Sequence, residues 1–272
     1  MEDEGYKILS GLELKNVTLI NLSSILDENL LRARSNRNHL EFCWTLKANM
    51  LYYIMTHYPN AQYFAHLDAD LCFFANPDII FEEAPHASLF LTDHNNSERF
   101  LYTYDLTGRY NTGFVGCKND PIAYAAVDWW RSRCLEWCST ENKVEEKLFG
   151  DQRYVERWVE LFGQHLHVIR TIGANVAVWN IDQYQVSVVN NVVYINNEKL
   201  IFYHFSGFSI YSEREFNLSW FYVIPDHIVR LIYFPYTMLL SKAISQIHIN
   251  YPYFKKGMIH RGEVPDIHYF KV

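Results

Sequence analysis

The chain is predicted to be an α/β protein, and three observations predict it. Short apolar runs rich in Val, Phe, Tyr and Leu alternate with segments whose apolar residues recur at helical spacing. Turn residues separate them. Of 272 residues, 49% are hydrophobic, enough for one large core or one core with an appendage. Strands separated by helices imply a sheet that is mainly parallel and flanked by helices.

In chain order, residues 3–10 suit a short helix and residues 17–25, VTLINLSSI, a short strand. Residues 39–57 carry a helical apolar pattern. Residues 62–68 form the next strand, Ser88–Thr92 another, and Asn111–Cys117 a third entered through the Gly108–Tyr110 turn. A long helix covers Pro121 to Cys138, with proline in its first turn where no amide donor is missed. Asp151 to Phe162 reads as a further helix. Short strands follow near 165–169, 185–189, 192–195 and 200–205, with Asn196-Asn197 a turn between the last two. After about residue 210 the character changes. Residues 225–247 are helical with an interruption at Pro235, and Pro252, Gly257 and Pro265 mark a tail. The expected division is therefore 1–210 as the main domain and 211–272 as a helical, aromatic extension.

Composition excludes several partners. Twenty-four basic against 31 acidic residues give a net charge of −7, and no long Lys/Arg run is present, so neither nucleic acid nor an anionic membrane is an expected partner of the chain as a whole, while a local basic pocket for a small phosphate ligand stays open. Five cysteines, an odd number without a CxxC pair, argue against a disulfide framework or a zinc ribbon and for a reducing compartment, the cytoplasm. Cys134 and Cys138 read as ordinary buried thiols. The acidic start MEDEGYKIL does not resemble a signal peptide. The apolar run Leu231–Ser241 falls far short of the roughly 20 residues that span a bilayer. Tyr222, Tyr233, Phe234 and Tyr236 beside Arg230 either pack on the core or form an acceptor or membrane-surface patch.

The chemistry concentrates in YFAHLDADLCFFANP, Tyr63 to Pro77. A buried carboxylate must neutralise or find a partner. Asp68 and Asp70 sit where an apolar strand ends, the edge at which open α/β sheets bind ligands. Two hard oxygen donors suit Mg²⁺ or Mn²⁺, and capping of a turn before Pro77 is the plainer reading. In Tyr110-Asn111-Thr112-Gly113-Phe114, Gly113 allows backbone to approach a ligand or simply makes a turn. In Gly150-Asp151-Gln152, Asp151 is a helix N-cap or, with Gln152, a holder of sugar hydroxyls. His204, ending an apolar strand before Ser206-Gly207, is a structural residue or a metal ligand.

Taken together, these segments resemble the GT-A nucleotide-sugar glycosyltransferases, nearest the retaining branch related to glycogenin and the galactosyltransferases. SNRNHLEFCWTL, YFAHLDADLCFFANP, YNTGFVGCKND, FGDQRYVERW, GANVAVWN and LIFYHFSGF are similar to bacterial nucleotide-diphospho-sugar transferases of surface-polysaccharide loci. The resemblance covers roughly residues 17–210. It implies a Rossmann-like mixed sheet, a Mn²⁺ or Mg²⁺ cofactor, a nucleotide diphospho-sugar donor and a saccharide or lipid-linked acceptor. Asp68, Asp70 and His204 would hold the metal, with Asp70 the surer ligand. Asp151 would bind the donor sugar and Gln152 lie near its anomeric carbon. Asn111, Thr112 and Gly113 would line the pocket, joined by Asn175 and Trp179, and Arg37 would approach the diphosphate or the sugar. A lipid-linked acceptor would bring the protein to the inner face of the membrane. Family members begin with a strand and helix that help hold the base, often as a run like CTYFDSNYLPRGLAL. Nothing here matches that run, so the first strand is expected to be missing. A noncatalytic transferase-like subunit and a metal-dependent phosphohydrolase that also uses His66 and Asp93 are the alternatives.

Overall fold

The computed structural model describes residues 3–272. Its elements are α1 (Asp3–Ser10), α2 (Glu28–Asn36), α3 (His39–His57), β1 (Tyr63–Leu67), β2 (Leu71–Phe73), α4 (Asp78–Glu82), β3 (Leu89–Asp93), α5 (Thr103–Thr107), β4 (Tyr110–Lys118), α6 (Pro121–Glu136), α7 (Trp158–Phe162), β5 (Leu166–Val168), β6 (Val176–Ala177), β7 (Val186–Val189), β8 (Val192–Ile195), β9 (Glu198–Lys199), β10 (Phe202–His204), β11 (Ser209–Ile210), β12 (Glu215–Asn217), α8 (Asp226–Ile228), α9 (Phe234–Asn250) and β13 (Tyr269–Lys271). They fall into two compact units. The larger comprises Asp27–Gln185 and Val189–His204; the smaller comprises the chain up to Leu26, Val186–Val188 and Phe205–Val272.

The larger unit is built on a four-stranded sheet in the order β1-β4-β3-β5. Period-two alternation splits its side chains between two cores. Leu89, Leu91, Val115 and Cys117 face one side, where they join Ala48, Leu51 and Met55 of α3 and Val127, Trp130 and Cys134 of α6. Phe90 and Phe114 face the other side, against Ile80, Ala84 and Phe202. Helix α3 starts with a full capping box between Asn38 and Glu41. Helix α6 starts at Pro121 behind Asp120, whose carboxylate accepts from the amides of Ile122 and Ala123. A second sheet, β2-β10-β6, supplies the His204 strand.

The sheet is mixed, as expected, but it is not mainly parallel. β4 runs antiparallel to both neighbours, β1 and β3, and β5 alone is parallel to β3. The reason lies between β3 and β4, where the short helix α5 occupies the connection and no long helix carries the chain across the sheet. β10 likewise runs antiparallel to β2 and parallel to β6.

Two further expectations fail locally. Residues 17–25 form no strand: Asn16 adopts a left-handed φ of 58°, and Asn21 caps a 3₁₀ turn over Leu22–Ser24 by accepting from the Ser23 amide. The helix expected from Asp151 begins instead as a 3₁₀ segment, Gln152–Arg157, before α7. Side chains there serve other segments: Gln152 Nε2 donates to the Thr107 carbonyl at 2.8 Å and Arg153 to that of Asp105 at 2.7 Å.

In the smaller unit, β11, β12 and β13 form an antiparallel sheet. The interruption expected at Pro235 is present. The turn before it, Val229–Tyr233, is a π-helix, and α9 starts at Phe234 with Pro235 in its first turn. The wider turn accommodates a residue that has no amide donor and needs room for its ring.

Candidate functional site

Register explains the site. Leu91 of β3 pairs with Val115 of β4, but Thr92 pairs with Asn111, so the β4 residues between them have no partner on β3. Such irregularities re-aim side chains at the mouths of sheets. Here the mouth is Asn111-Thr112-Gly113. The Gly113 carbonyl accepts from the Asp68 amide at 2.8 Å, which fixes the end of β1. The chain then turns through Asp68–Asp70 into β2, and the Leu71 amide closes the turn on the Asp68 carbonyl at 3.2 Å. Across β2, His204 of β10 pairs with Leu71. That register brings His204 Nε2 to 3.2 Å from Asp70 Oδ1.

Asp68, Asp70 and His204 thus offer two carboxylate oxygens and one imidazole nitrogen, all within 4.8 Å of one another. Among the described residues no other group of His, Cys, Asp or Glu of this kind is present. The donor set fits a divalent ion of the Mg²⁺/Mn²⁺ type. Gly113 is part of the cradle. A methyl group there would lie 2.6 Å from His204 Cε1 and 2.7 Å from Asn111 Oδ1, so only glycine lets the imidazole pack against the strand.

The two aspartates differ. Asp70 is 43% exposed and meets His204 alone. Both oxygens of Asp68 are engaged: Oδ2 accepts from Lys47 Nζ and Oδ1 meets His66 Nε2, each at 2.9 Å. Burial opposes charge on Asp68, but the Lys47 ammonium and the His66 contact outweigh it and hold the carboxyl well below the usual range. Asp70 is therefore the more available ligand.

Lys47 is the residue the sequence did not reveal. It lies on α3, 8% exposed, with Nζ also 3.8 Å from Asp151 Oδ2. Burial opposes its charge, yet Asp151 and Asp68 together keep it protonated, with its pKa above the ordinary 10.5. Asp151 does not cap the segment it opens. Its backbone is held by Trp130, whose Nε1 donates to the Asp151 carbonyl at 2.9 Å. Gly150, at φ 52°, lies close enough to Trp44 that a Cβ would meet the indole at 2.8 Å. Burial pushes the Asp151 carboxyl up, with Lys47 pulling against it, and Oδ2 has no hydrogen-bond partner.

Most of the other predicted residues are tied to the strand ends around this cluster. Gln152 Oε1 accepts from the Thr112 amide at 3.2 Å and from Asn111 Nδ2 at 3.3 Å, which ties it to the mouth of β4. Trp179 stands edge-on to the imidazoles of His204 and His94, and its Nε1 donates to the His94 carbonyl at 3.0 Å. Asn175, at φ 59°, donates to the Asp93 carbonyl. Burial pushes His94 down to about 4, against the Arg109 carbonyl that favours its proton, so it is neutral at pH 7. Arg37 is not drawn into this cluster by any bond it makes: its guanidinium donates to the Thr45 hydroxyl and, at 2.8 Å, to the Leu135 carbonyl. Asp93, a candidate extra ligand for a hydrolase, is held by Arg109 at 2.6 Å.

No family model matches the chain. It is 47% identical over 273 residues to the uncharacterized protein YfnD of Bacillus subtilis strain 168, an alignment that spans the whole chain and 88% of the relative. The chain belongs to the YfnD family. The uncharacterized protein YfnF of the same organism is 34% identical over 222 residues, covering 79% of this chain and 72% of its own. Among solved structures, a glycosyltransferase involved in the glycosylation of the major capsid of PBCV-1 aligns with a TM-score of 0.40 at 14% identity, over 75% of this chain and 82% of that one. A likeness that loose fixes neither fold subtype nor activity.

Proposed function

We propose that this member of the YfnD family is a GT-A-type glycosyltransferase that moves a sugar from a nucleotide diphospho-sugar, UDP-linked, to a saccharide or lipid-linked acceptor in the cytoplasm. The observation that carries the proposal is the convergence of Asp68, Asp70 and His204 at the carboxyl end of β1. A bound Mg²⁺ or Mn²⁺ would supply Lewis-acid neutralisation of the charge left on a departing diphosphate.

The chain's own residues do the rest. Asp70 and His204 present the ligand atoms, and Gly113 gives the imidazole its place. Lys47 keeps Asp68 ionised and offsets the Asp151 carboxylate, so that the site tolerates a cluster of acids at its floor. Asp151 Oδ2 is an acceptor without a donor, a deficit that a donor-sugar hydroxyl would satisfy. Gln152 is held through both ends of its amide, by Thr107 on one side and Asn111 with Thr112 on the other. Its role is therefore orientation and electrostatic support of the oxocarbenium-like sugar, not nucleophilic attack. The odd cysteine count without a CxxC pair accords with a reducing compartment.

The test is a screen of UDP- and GDP-sugars with and without Mn²⁺, reading release of the nucleoside diphosphate in the presence of saccharide acceptors, with the anomeric configuration of the product reporting retention. Metal-dependent release that requires acceptor is expected. Release equally fast without acceptor would favour the phosphohydrolase, and no release from any donor would favour a noncatalytic subunit.

A further inference from the structure

The smaller unit carries a surface that the proposed chemistry does not use. From His227 to Gly262 the sequence contains no Asp or Glu, in a chain whose net charge is −7. The same stretch contains Arg230, Lys242, Lys255, Lys256 and Arg261, of which Arg261 pairs with Asp266 just beyond the stretch. Helix α9 lies at its centre. Phe234 is 46% exposed, Met238 48% and Ile249 78%, and Tyr253 just beyond the helix is 92% exposed. Phe234, Met238, Lys242 and Ile249 occupy positions i, i+4, i+8 and i+15, which share one face of a helix. Glu213, which meets α9, is spent on Ser245 at 2.6 Å and His248 at 3.5 Å.

Apolar side chains in one strip exposed to water are unfavourable and mark an interaction surface. Charge selects the partner. Two copies of this face would bring the same excess of positive charge together, which disfavours self-association. An anionic lipid surface complements it. Lys242 in the middle of the strip can lie along the apolar surface and direct its ammonium to the headgroups. Tyr253 is of the type that settles at the bilayer interface. The helix has 17 residues, below the roughly 20 needed to span, and among the described residues no helix is long and apolar enough to cross a membrane.

We infer that this face of α9 docks the protein on an anionic lipid bilayer, with the helix lying in the plane of the headgroups and Lys242, supported by the exposed Arg230 and Lys255, holding it there. The inference goes beyond sugar transfer and does not depend on it.

The test is cosedimentation of the full chain with vesicles of phosphatidylcholine alone and of phosphatidylcholine mixed with phosphatidylglycerol, at low and high salt. Binding to the mixed vesicles at low salt is expected to exceed that to the neutral ones by at least about ten-fold and to fall as salt rises. Lys242→Glu should weaken it by about five-fold or more. The pair Met238→Asp with Ile249→Asp should abolish it without moving the thermal midpoint. Binding indifferent to phosphatidylglycerol, or retained by the double variant, would overturn the inference. So would a concentration-dependent dimer in ultracentrifugation that Met238→Asp dissolves, since that would assign the face to a second copy.

Discussion

Two acidic sites in the larger unit handle their carboxylates in opposite ways. Glu83 clasps the loop after β5: it accepts from the amides of Arg170 and Thr171 at 2.9 and 2.8 Å and from the Thr171 hydroxyl, and His167 Nε2 lies at 2.7 Å. It borders a cleft of about 780 Å³ that contains none of the predicted site residues. Every oxygen of Glu83 is satisfied from within the fold. At the DAD turn, Asp70 is half-exposed with one partner, and Asp151 Oδ2 and His204 Nδ1 are buried without hydrogen bonds. Buried polar groups in folded proteins are nearly always paired, so the exceptions need a reason. A carboxylate closed on its own backbone holds a loop. A cluster left open at a strand end leaves ligand atoms for the ion and sugar proposed above.

Substitutions separate these roles. The largest effect is expected at Lys47. Lys47→Met leaves Asp68 and Asp151 without their shared counter-charge and should cost about 3–5 kcal/mol of stability, together with the activity. Urea denaturation reads the first. A loss below about 1 kcal/mol would show that the carboxylates repel little and that Lys47 is no structural cation. Next is Asp70→Asn. Second-sphere partners of metals cost roughly 10–100-fold in affinity, so loss of a direct ligand should reach at least the upper end of that range for Mn²⁺. Because Asp70 is half-exposed and meets only His204, stability should move by no more than about 0.5 kcal/mol. Such a separation of function from stability is what an open cluster predicts. An equal loss of both would place Asp70 with Glu83.

How much of this was legible in the sequence depended on whether a residue's partner was near it in the chain. The Pro121 helix start and the Asn196-Asn197 turn are local devices and appear where the sequence puts them, and the helix expected over 39–57 is α3, which starts at a capping box equally local in the chain. The DAD turn was visible because carboxylates inside YFAHLDADLCFF contradict their surroundings. Lys47 was not, because a lysine in an amphipathic helix ordinarily faces water. Its burial follows from Asp68 and Asp151, 21 and 104 residues away, meeting it in space. The available signal was indirect: two acids at a strand end require a cation, and TLKANM supplies one on the preceding helix. Strand direction was also hidden, since alternating elements do not reveal that β4 returns antiparallel. Asn16 by a left-handed backbone and Asn21 by its side-chain cap overrode an apolar run at 17–25, and composition reports neither.

Two smaller effects sharpen the contrast. Gly113→Ala places a methyl against the His204 ring and should cost about 1–3 kcal/mol while weakening Mn²⁺ binding. Unchanged metal affinity would show that His204 contributes no ligand. Glu83→Gln should cost about 1–2 kcal/mol and leave Mn²⁺ binding unchanged. Its pH dependence has a definite sign. Burial raises the Glu83 pKa, but His167, Thr171 and the loop amides outweigh it and set it below the ordinary 4.5. The unfolded glutamate then binds a proton more readily than the folded one. The stabilisation is complete above about pH 5.5 and is lost as the pH falls through 4.5 and below. Glu83→Gln should flatten that part of the acid-unfolding curve, and an unchanged curve would remove Glu83 as its cause.

The function proposed above requires the open cluster to hold a divalent ion which in turn holds a nucleoside diphosphate. Calorimetric titration of UDP and GDP into the full chain, with and without Mn²⁺ and repeated on Asp70→Asn, tests it most directly. Nucleotide binding that requires Mn²⁺ and disappears in the variant is expected. Binding by neither nucleotide in the presence of Mn²⁺, or equal binding by the variant, would contradict it.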